Sequence, residues 1–310
     1  MTHTPSNKKS DIRLGTRGSQ LALWQSNWVK SELEKTGVSV ELIKIKTEGD
    51  IKTGSLAQIG GQGLFTKRLQ IALLNDEIDL AVHSLKDLPT EDHPELTIAA
   101  VPPRETVTDA LVSNRFESLK DLPPKAIIGT GSLRRAAQLL HLRPDLDIRD
   151  IRGNVDTRLE KLDDGEFDAI ILASAGLLRL GFENRISYTF LPNELVPAVG
   201  QGALGLETRS VDADTISRVA ALNDHPSYHR AMAERTMLRT LYAGCLSPVG
   251  AMTTVQDDSL HLRGAVLSHD GKHKIECEGT NVLDESISLG RRVAEKLIDA
   301  GAAQFLQDRN

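Results

Sequence analysis

Apolar positions along this chain switch between two periods. Ile12 to Thr16 reads as extended, Leu21, Trp24, Trp28 and Leu33 then follow as a helical stripe that Gly37 stops, and Val38 to Ile45 is extended again. A second helical face, Phe65, Leu69, Ala72 and Leu73, leads to an apolar strand at Leu80 to Val82 and another at Leu96 to Val101, before Pro102 and Pro103 close the segment. The alternation then resumes with strand (Ala126 to Gly129), helix (Leu133 to Leu142), strand (Leu146 to Ile151), helix (Val155 to Leu162) and strand (Ala169 to Ala173). Helices between strands imply parallel pairing. From about Ser227 the order changes to one long helix, strands at Met252 to Val255, Leu260 to Leu267 and Lys274 to Glu278, and a helix from about Asp284 to Ala300, which predicts an antiparallel α+β tail.

Length fits this division, because 310 residues exceed one ordinary core and predict two or three lobes. Charged residues are 26% and hydrophobic ones 40%, an ordinary globular balance. Aromatics are only 4% and the net charge is -6, which argues against a nucleic-acid binder built on stacking platforms and basic stripes. The first ten residues lack the apolar core of a secretory signal, and no run reaches membrane-spanning length, so a cytoplasmic protein without membrane contact is expected. The two cysteines, Cys245 and Cys277, make neither a disulfide framework nor a metal motif, and no metal ligands are assigned.

Against this acidic background three strand-to-helix turns carry arginine. They are Thr16-Arg17-Gly18-Ser19, Gly129-Thr130-Gly131-Ser132-Leu133-Arg134-Arg135 and Arg152-Gly153-Asn154-Val155-Asp156-Thr157-Arg158. A helix N-terminus already bears partial positive charge, so arginine there is locally unfavourable, and a bound anion is the simplest compensation. One such arginine alone reads as a solvated helix residue; three clusters on equivalent turns point to a site at the carboxyl ends of the strands. No phosphate-loop run and no complete dinucleotide fingerprint occur, which favours carboxylates as the anion.

Asp87 closes the strand-turn segment Leu80-Ala81-Val82-His83-Ser84-Leu85-Lys86-Asp87-Leu88-Pro89. By itself it is an ordinary turn former, but among arginines an ionised carboxylate can balance a transient cation. Cys277 shares a strand face with Ile275 and reads as a core residue. Cys245 lies in the Gly- and Pro-punctuated loop Ala243-Gly244-Cys245-Leu246-Ser247-Pro248, where both an inert and a reactive thiol remain open.

With Leu21-Ala22-Leu23-Trp24-Gln25, Gly63-Leu64-Phe65, Ala198-Val199-Gly200-Gln201-Gly202-Ala203 and Gly244-Cys245 added, the order and spacing of these motifs from Ile12 to about Leu297 resemble the porphobilinogen deaminase (hydroxymethylbilane synthase) family. The resemblance implies an α/β fold of two periplasmic-binding-protein-like lobes with parallel-type mixed sheets and a smaller α+β C-terminal domain with an antiparallel sheet. The expected division is residues 1–102 with 203–222, 103–202, and 223–310, with chain crossings near Pro102 to Thr108 and Val196 to Ala203. The implied activity condenses four porphobilinogen molecules head to tail with loss of ammonia on a dipyrromethane cofactor, held by a thioether to Cys245, and releases hydroxymethylbilane by hydrolysis. Asp87 is the implied catalytic residue. Arg17, Ser19, Phe65, His83, Lys86, Thr130, Ser132, Arg134, Arg135, Arg152, Arg158, Arg179 and Gln201 are the implied cofactor and substrate residues, and a monomer is expected.

The chain departs from the family pattern at Gln58 and Gln62, where lysine is usual, at Tyr242 and Ala243 before the cysteine, and at Gln20, where proline is common. A second reading, a two-lobed carboxylate-binding protein without catalysis, would leave Cys245 unmodified.

Overall fold

The computed structural model describes residues 11–45, 66–244 and 247–306. Its contacts divide the chain into two units: Met1–His83 with Asp92–Ala100 and Gly205–Asn223, and Ser84–Glu91 with Val101–Leu204 and Asp224–Asn310.

The first unit is built on a five-stranded sheet ordered β2-β1-β3-β10-β4, from β1 (Ile12–Thr16), β2 (Val40–Lys44), β3 (Leu80–Ser84), β4 (Leu96–Ala100) and β10 (Leu204–Arg209). β1 pairs in parallel with both β2 and β3, whereas β10 runs antiparallel to β4. Helix α1 (Gln20–Lys35) connects β1 to β2, and α2 (Lys67–Leu74) buries Leu69, Ala72 and Leu73 as the periodicity predicts. The buried face of α1 differs from the expected stripe. It is Gln25, Ser26, Val29 and Leu33, while Trp24 is exposed. Trp24 and Leu33 are nine positions apart, which at about 100° per residue sets them on opposite sides of the helix, so they cannot share one face.

The second unit contains two sheets. The first, ordered β7-β6-β8-β5-β9, combines β5 (Asp109–Val112), β6 (Ile127–Gly129), β7 (Asp147–Arg149), β8 (Ala169–Ala173) and β9 (Tyr188–Thr189). β6 is parallel to β7 and β8, and β5 is antiparallel to β8 and β9, so the sheet is mixed. Ala169 and Ile171 join one buried cluster and Ile170 and Leu172 another, so β8 is covered on both faces and reads as an unbroken apolar run. Helices α3 (Leu133–Leu142) and α4 (Val155–Asp163) follow β6 and β7, and α5 (Ser174–Arg179) follows β8. Helix α6 (Ala213–Val219) belongs to the first unit.

The other sheet is the expected antiparallel one, β11 (Val249–Gln256), β12 (Ser259–Leu267) and β13 (Lys274–Val282), packed on α7 (His225–Thr240) and α8 (Ser286–Asp299) through Met237, Leu262, Leu289, Val293 and Leu297. Cys277 is half-buried against this cluster beside Ile275, and removal from water raises its thiol pKa. Among the described residues no helix is long and apolar enough to cross a membrane.

Glu234 on α7 ties the second unit together. Its buried carboxylate accepts hydrogen bonds from both terminal nitrogens of Arg104 at 2.7 and 2.9 Å, from Gly200 N–H at 2.8 Å and from the Thr253 hydroxyl at 2.5 Å. Arg104 also donates to the Gln201 carbonyl at 2.8 Å. Thus one carboxylate holds segment 103–108, segment 196–203 and strand β11 to a single helix. Removing one member of such a pair leaves a buried charge uncompensated. Arg104→Met is expected to lower unfolding stability by about 3–5 kcal/mol, read from urea denaturation, with part of the loss recovered in Arg104→Met/Glu234→Met.

Candidate active site

A dense charge cluster gathers at the carboxyl ends of the second unit's strands. β6 runs into the turn Thr130-Gly131-Ser132, where Ser132 caps α3 by accepting from Arg135 N–H at 3.4 Å. Arg134 and Arg135 therefore sit in the first turn of the helix, and both are buried. Their charge is met by Asp109 at the start of β5, which is fully buried. Arg135 donates to Asp109 Oδ1 through Nε at 2.9 Å and Nη2 at 2.7 Å, and Arg134 Nη2 lies 2.7 Å from Oδ2. Backbone carbonyls take further donors: Val196 O from Arg134 at 2.6 Å and Ile171 O from Arg135 at 3.0 Å. Gln201 completes the cage, donating to Asp109 Oδ1 at 3.0 Å and to Val107 O at 2.7 Å.

β7 runs into the second turn, which abuts the first. A Cβ on Gly131 would lie 2.9 Å from Asp150 Oδ1 and 3.1 Å from Ile151 O, so only glycine lets the two turns meet. Arg152 stands two residues before the N-cap Asn154 and pairs with Asp150 at 2.8 Å. Arg158, one turn into α4, donates to Gly153 O at 2.8 Å. Thr130 is buried, and its hydroxyl accepts from Ser132 N–H at 3.2 Å.

The third contribution is the 3-10 turn Leu85–Asp87 after β3. Leu85 N–H donates to Ala203 O at 3.0 Å, and Arg235 of α7 donates to Leu88 O at 3.0 Å and Pro89 O at 2.6 Å. Gly202, at φ 84°, brings its Cα so close that a Cβ would fall 2.5 Å from Glu105 O and 2.6 Å from Thr106 O. Asp87 is exposed and Lys86 half-buried. Arg179, the last residue of α5, donates to Gly202 O at 2.8 Å, and burial lowers its pKa against the opposing pull of Glu105.

The electrostatics record crowding of like charge. Protein around the Lys86 ammonium, reinforced by Arg135 and Arg134 and opposed by Asp87 and Asp109, pushes its pKa down to about 8. Burial, with Arg135 and Arg152, lowers Arg158 to about 10, against Asp87 and Asp150. Burial lowers Arg134 too, while Asp109 opposes. For Asp109, burial raises the pKa but Arg134 and Arg135 outweigh it and hold the carboxyl at about 2. Five cations, Lys86, Arg134, Arg135, Arg152 and Arg158, thus act on one another in the company of three carboxylates, Asp87, Asp109 and Asp150. Arg134 Nε and Gln201 Oε1 are buried without a hydrogen-bond partner among the described residues. Such an arrangement suits a group with more than one negative charge.

The remaining expected site residues belong to the first unit or fall outside the described residues. Arg17 and Ser19 belong to the first unit, at the carboxyl end of β1, where Ser19 caps α1 by accepting from Ala22 N–H at 3.3 Å. His83 is buried in that unit, with Nε2 2.9 Å from Glu207 Oε2, and Glu207 Oε1 also accepts from Gln70 at 2.9 Å. Phe65, Cys245, Gln58 and Gln62 lie outside the described residues. Tyr242, one of the departures from the family pattern, is exposed at φ 51°. Asp109 was not among the expected site residues, and neither was Glu234; an acidic residue opening an apolar Ala-Leu-Val strand was the available signal for Asp109.

Comparison with known proteins identifies the lineage. Residues 12–217 match the family model "Porphobilinogen deaminase, dipyromethane cofactor binding domain" and residues 228–299 match "Porphobilinogen deaminase, C-terminal domain". The chain belongs to the porphobilinogen deaminase family. The porphobilinogen deaminase of a Nitratiruptor species is 46% identical over 300 residues, covering 96% of each chain. That of Geobacter metallireducens is 49% identical over 302 residues, covering 96% of this chain and 94% of the relative. Among solved structures, the methionine binding protein MetQ is similar over 72% of this chain and 94% of its own, with TM-score 0.45 and 14% identity. Membership of the porphobilinogen deaminase family makes the chain a transferase of tetrapyrrole biosynthesis with a dipyrromethane cofactor domain, and disfavours the non-catalytic reading. A dipyrromethane bears carboxylate side arms, and the cation-rich donor set around Arg134 and Arg135 fits such a group.

Removing the Asp109 charge should expose what it offsets. Asp109→Asn is expected to cost about 3–5 kcal/mol at neutral pH. Its carboxyl pKa falls from about 3.9 unfolded to about 2 folded, so this contribution is present above pH 4 and is lost as pH falls toward 2. Urea unfolding from pH 5 to 2 should therefore show the wild-type advantage over the variant shrinking across that window.

Proposed function

We propose that this chain joins four porphobilinogen molecules head to tail, releasing ammonia at each addition, on a dipyrromethane primer attached through a thioether to Cys245, and liberates hydroxymethylbilane by hydrolysis. The observation that carries the reading is the excess of guanidinium and ammonium groups over carboxylates around Asp109. Each pyrrole ring brings an acetate and a propionate, so a growing chain accumulates negative charge that repels itself unless cations offset it. Arg134, Arg135, Arg152, Arg158 and Lys86 supply that offset from turns whose geometry is fixed before any ligand arrives, which avoids ordering costs on binding. Thr130, Ser132, Arg179 and Gln201 join them as carboxylate-holding or turn-fixing residues, and Arg17 and Ser19 hold carboxylates at the carboxyl end of β1 in the first unit. Phe65 covers a ring, and His83 shapes the strand end that leads to Lys86.

The primer, when bound, supplies the free pyrrole carbon that is extended. The chain's own contribution is Asp87, whose exposed carboxylate accepts pyrrole N–H groups, stabilises positive charge as ammonia departs from the substrate and carries the proton away. The lowered pKa of Lys86 bears on the same step, because a bound carboxylate favours the ammonium form and offsets the burial that lowers it. The proposal keeps the division 1–102 with 203–222, 103–202 and 223–310, and a monomer working in the cytoplasm.

Intact-mass measurement is the test. Purified protein is expected to exceed its sequence mass by two pyrrole units, to gain whole-ring increments on adding porphobilinogen, and to lose the excess in Cys245→Ser; an unmodified wild-type chain would overturn the reading. Asp87→Asn is expected to retain the primer while turnover falls by about 10²-fold or more, measured as product formed per mole of holoprotein. Arg135→Leu is expected to lower the fraction of chains carrying the primer, read from the same spectra.

A further inference from the structure

Away from the charge cluster, the second unit holds a group of ligating side chains that neither the fold nor the proposed reaction uses. His225 opens α7, His229 follows one helical turn later, and Asp284 lies in the 3-10 turn Leu283–Glu285 that leads into α8. His225 Nε2 is 3.2 Å and His229 Nε2 3.5 Å from the same oxygen, Asp284 Oδ1, and one ligand atom from each residue falls within 4.8 Å of the others. A tetrahedral zinc ion with ligands at about 2.0 Å sets neighbouring donors about 3.3 Å apart. Both separations lie close to that edge. The remaining imidazole-to-imidazole distance can close by rotation of His225, whose side chain is 59% exposed.

We propose that His225, His229 and Asp284 form a binding site for a divalent zinc-type cation, with a fourth position left for water. Two independent features support it. Spacing of i and i+4 on α7 turns both imidazoles to one side, and the rings lie 4.4 Å apart between centroids. His229 Nδ1 is 3.0 Å from Ser286 Oγ, the outer hydrogen bond that metal-bound imidazoles commonly make. When Nδ1 donates to that hydroxyl, Nε2 presents a lone pair to the Asp284 carboxylate, an arrangement a shared cation satisfies. Two imidazoles and one carboxylate select zinc, nickel or copper over magnesium or calcium, which prefer oxygen alone. The partial positive charge where α7 begins is offset by Asp224, which caps that helix, and by Asp284 itself. Bound there, the cation ties the start of α7 to the start of α8, the two helices that cover the C-terminal sheet.

The test uses tag-free holoprotein stripped with chelator and titrated with zinc chloride by calorimetry. One zinc per chain is expected, with at least tenfold weaker binding in both His225→Ala and Asp284→Asn and unchanged binding in the control His269→Ala, an exposed histidine elsewhere. Cobalt in place of zinc should give a visible absorption band in wild type and in the control only. Saturating zinc should raise the melting temperature of wild type by roughly 2–4 °C and leave both site variants unmoved; these variants alter exposed side chains, so unchanged circular dichroism confirms that they fold. An imidazole-carboxylate ion pair only, seen as no stoichiometric zinc binding to wild type or as equal affinity in wild type and both variants, would overturn the proposal.

Discussion

Two guanidinium groups share one buried carboxylate at the strand ends of the second unit. Asp109 cannot neutralise both Arg134 and Arg135, yet without it both charges would stand uncompensated in surroundings that exclude water, at a cost of several kcal/mol. The carboxylate therefore does two things. It makes burial of the pair tolerable, and by falling one charge short it leaves the cluster with an appetite for anions. Carbonyl oxygens of Val196 and Ile171 orient the forks without changing that sum, because they contribute dipoles and no charge.

Orientation in turn depends on how the surrounding backbone is fixed. The Leu85–Asp87 turn is fixed by Ala203 O at one end and by Arg235 at the other, and Arg235 lies on the helix that also supplies Glu234. Glu234 gathers Arg104, Gly200 N–H and Thr253, so the segment bearing Gln201 and the turn bearing Lys86 and Asp87 take their positions from one helix. Close packing at Gly202 reinforces this, because a carbonyl 2.5 Å from a would-be Cβ leaves no room for the segment to shift. Side chains carried on loops are placed only as exactly as the network behind them, and here that network is polar, buried and shared.

Much of this was legible in the sequence. Strand β1, helix α3 and strand β8 fall where the periodicity set them, and the arginine-bearing turns do lie at strand carboxyl ends. Local patterns encode those features. Strands β5 and β10 were not read, because β5 is four residues long after a Pro-rich stretch and β10 follows a glycine-rich one; their pairings, with β8 and with β4, join residues far apart in the chain. Asp109 escaped for the same reason. The arginines that pair with it lie 25 and 26 positions away, whereas the nearer Arg104 and Arg115 pair with other carboxylates. Arg17 and Arg152 read as helix-start arginines but stand two residues ahead of their N-caps, a boundary that sequence patterns fix only loosely.

The acidity of the whole chain sharpens the role of the cluster. A net charge of -6 repels a carboxylate-rich ligand at long range, but salt at physiological strength screens exposed charges beyond about 8 Å. Inside that distance the local field decides, and there Arg134, Arg135 and their neighbours dominate in a partly water-excluded setting where each charge counts for more. Attraction confined to short range favours ligands already oriented to meet several cations at once. A single small carboxylate gains little from such a site, whereas an array of carboxylates on a rigid ring system gains at each fork. In the proposed reaction the uneven distribution of charge, negative overall and positive at the strand ends of one unit, thus serves as a selectivity device that neither the total charge nor any single arginine would supply.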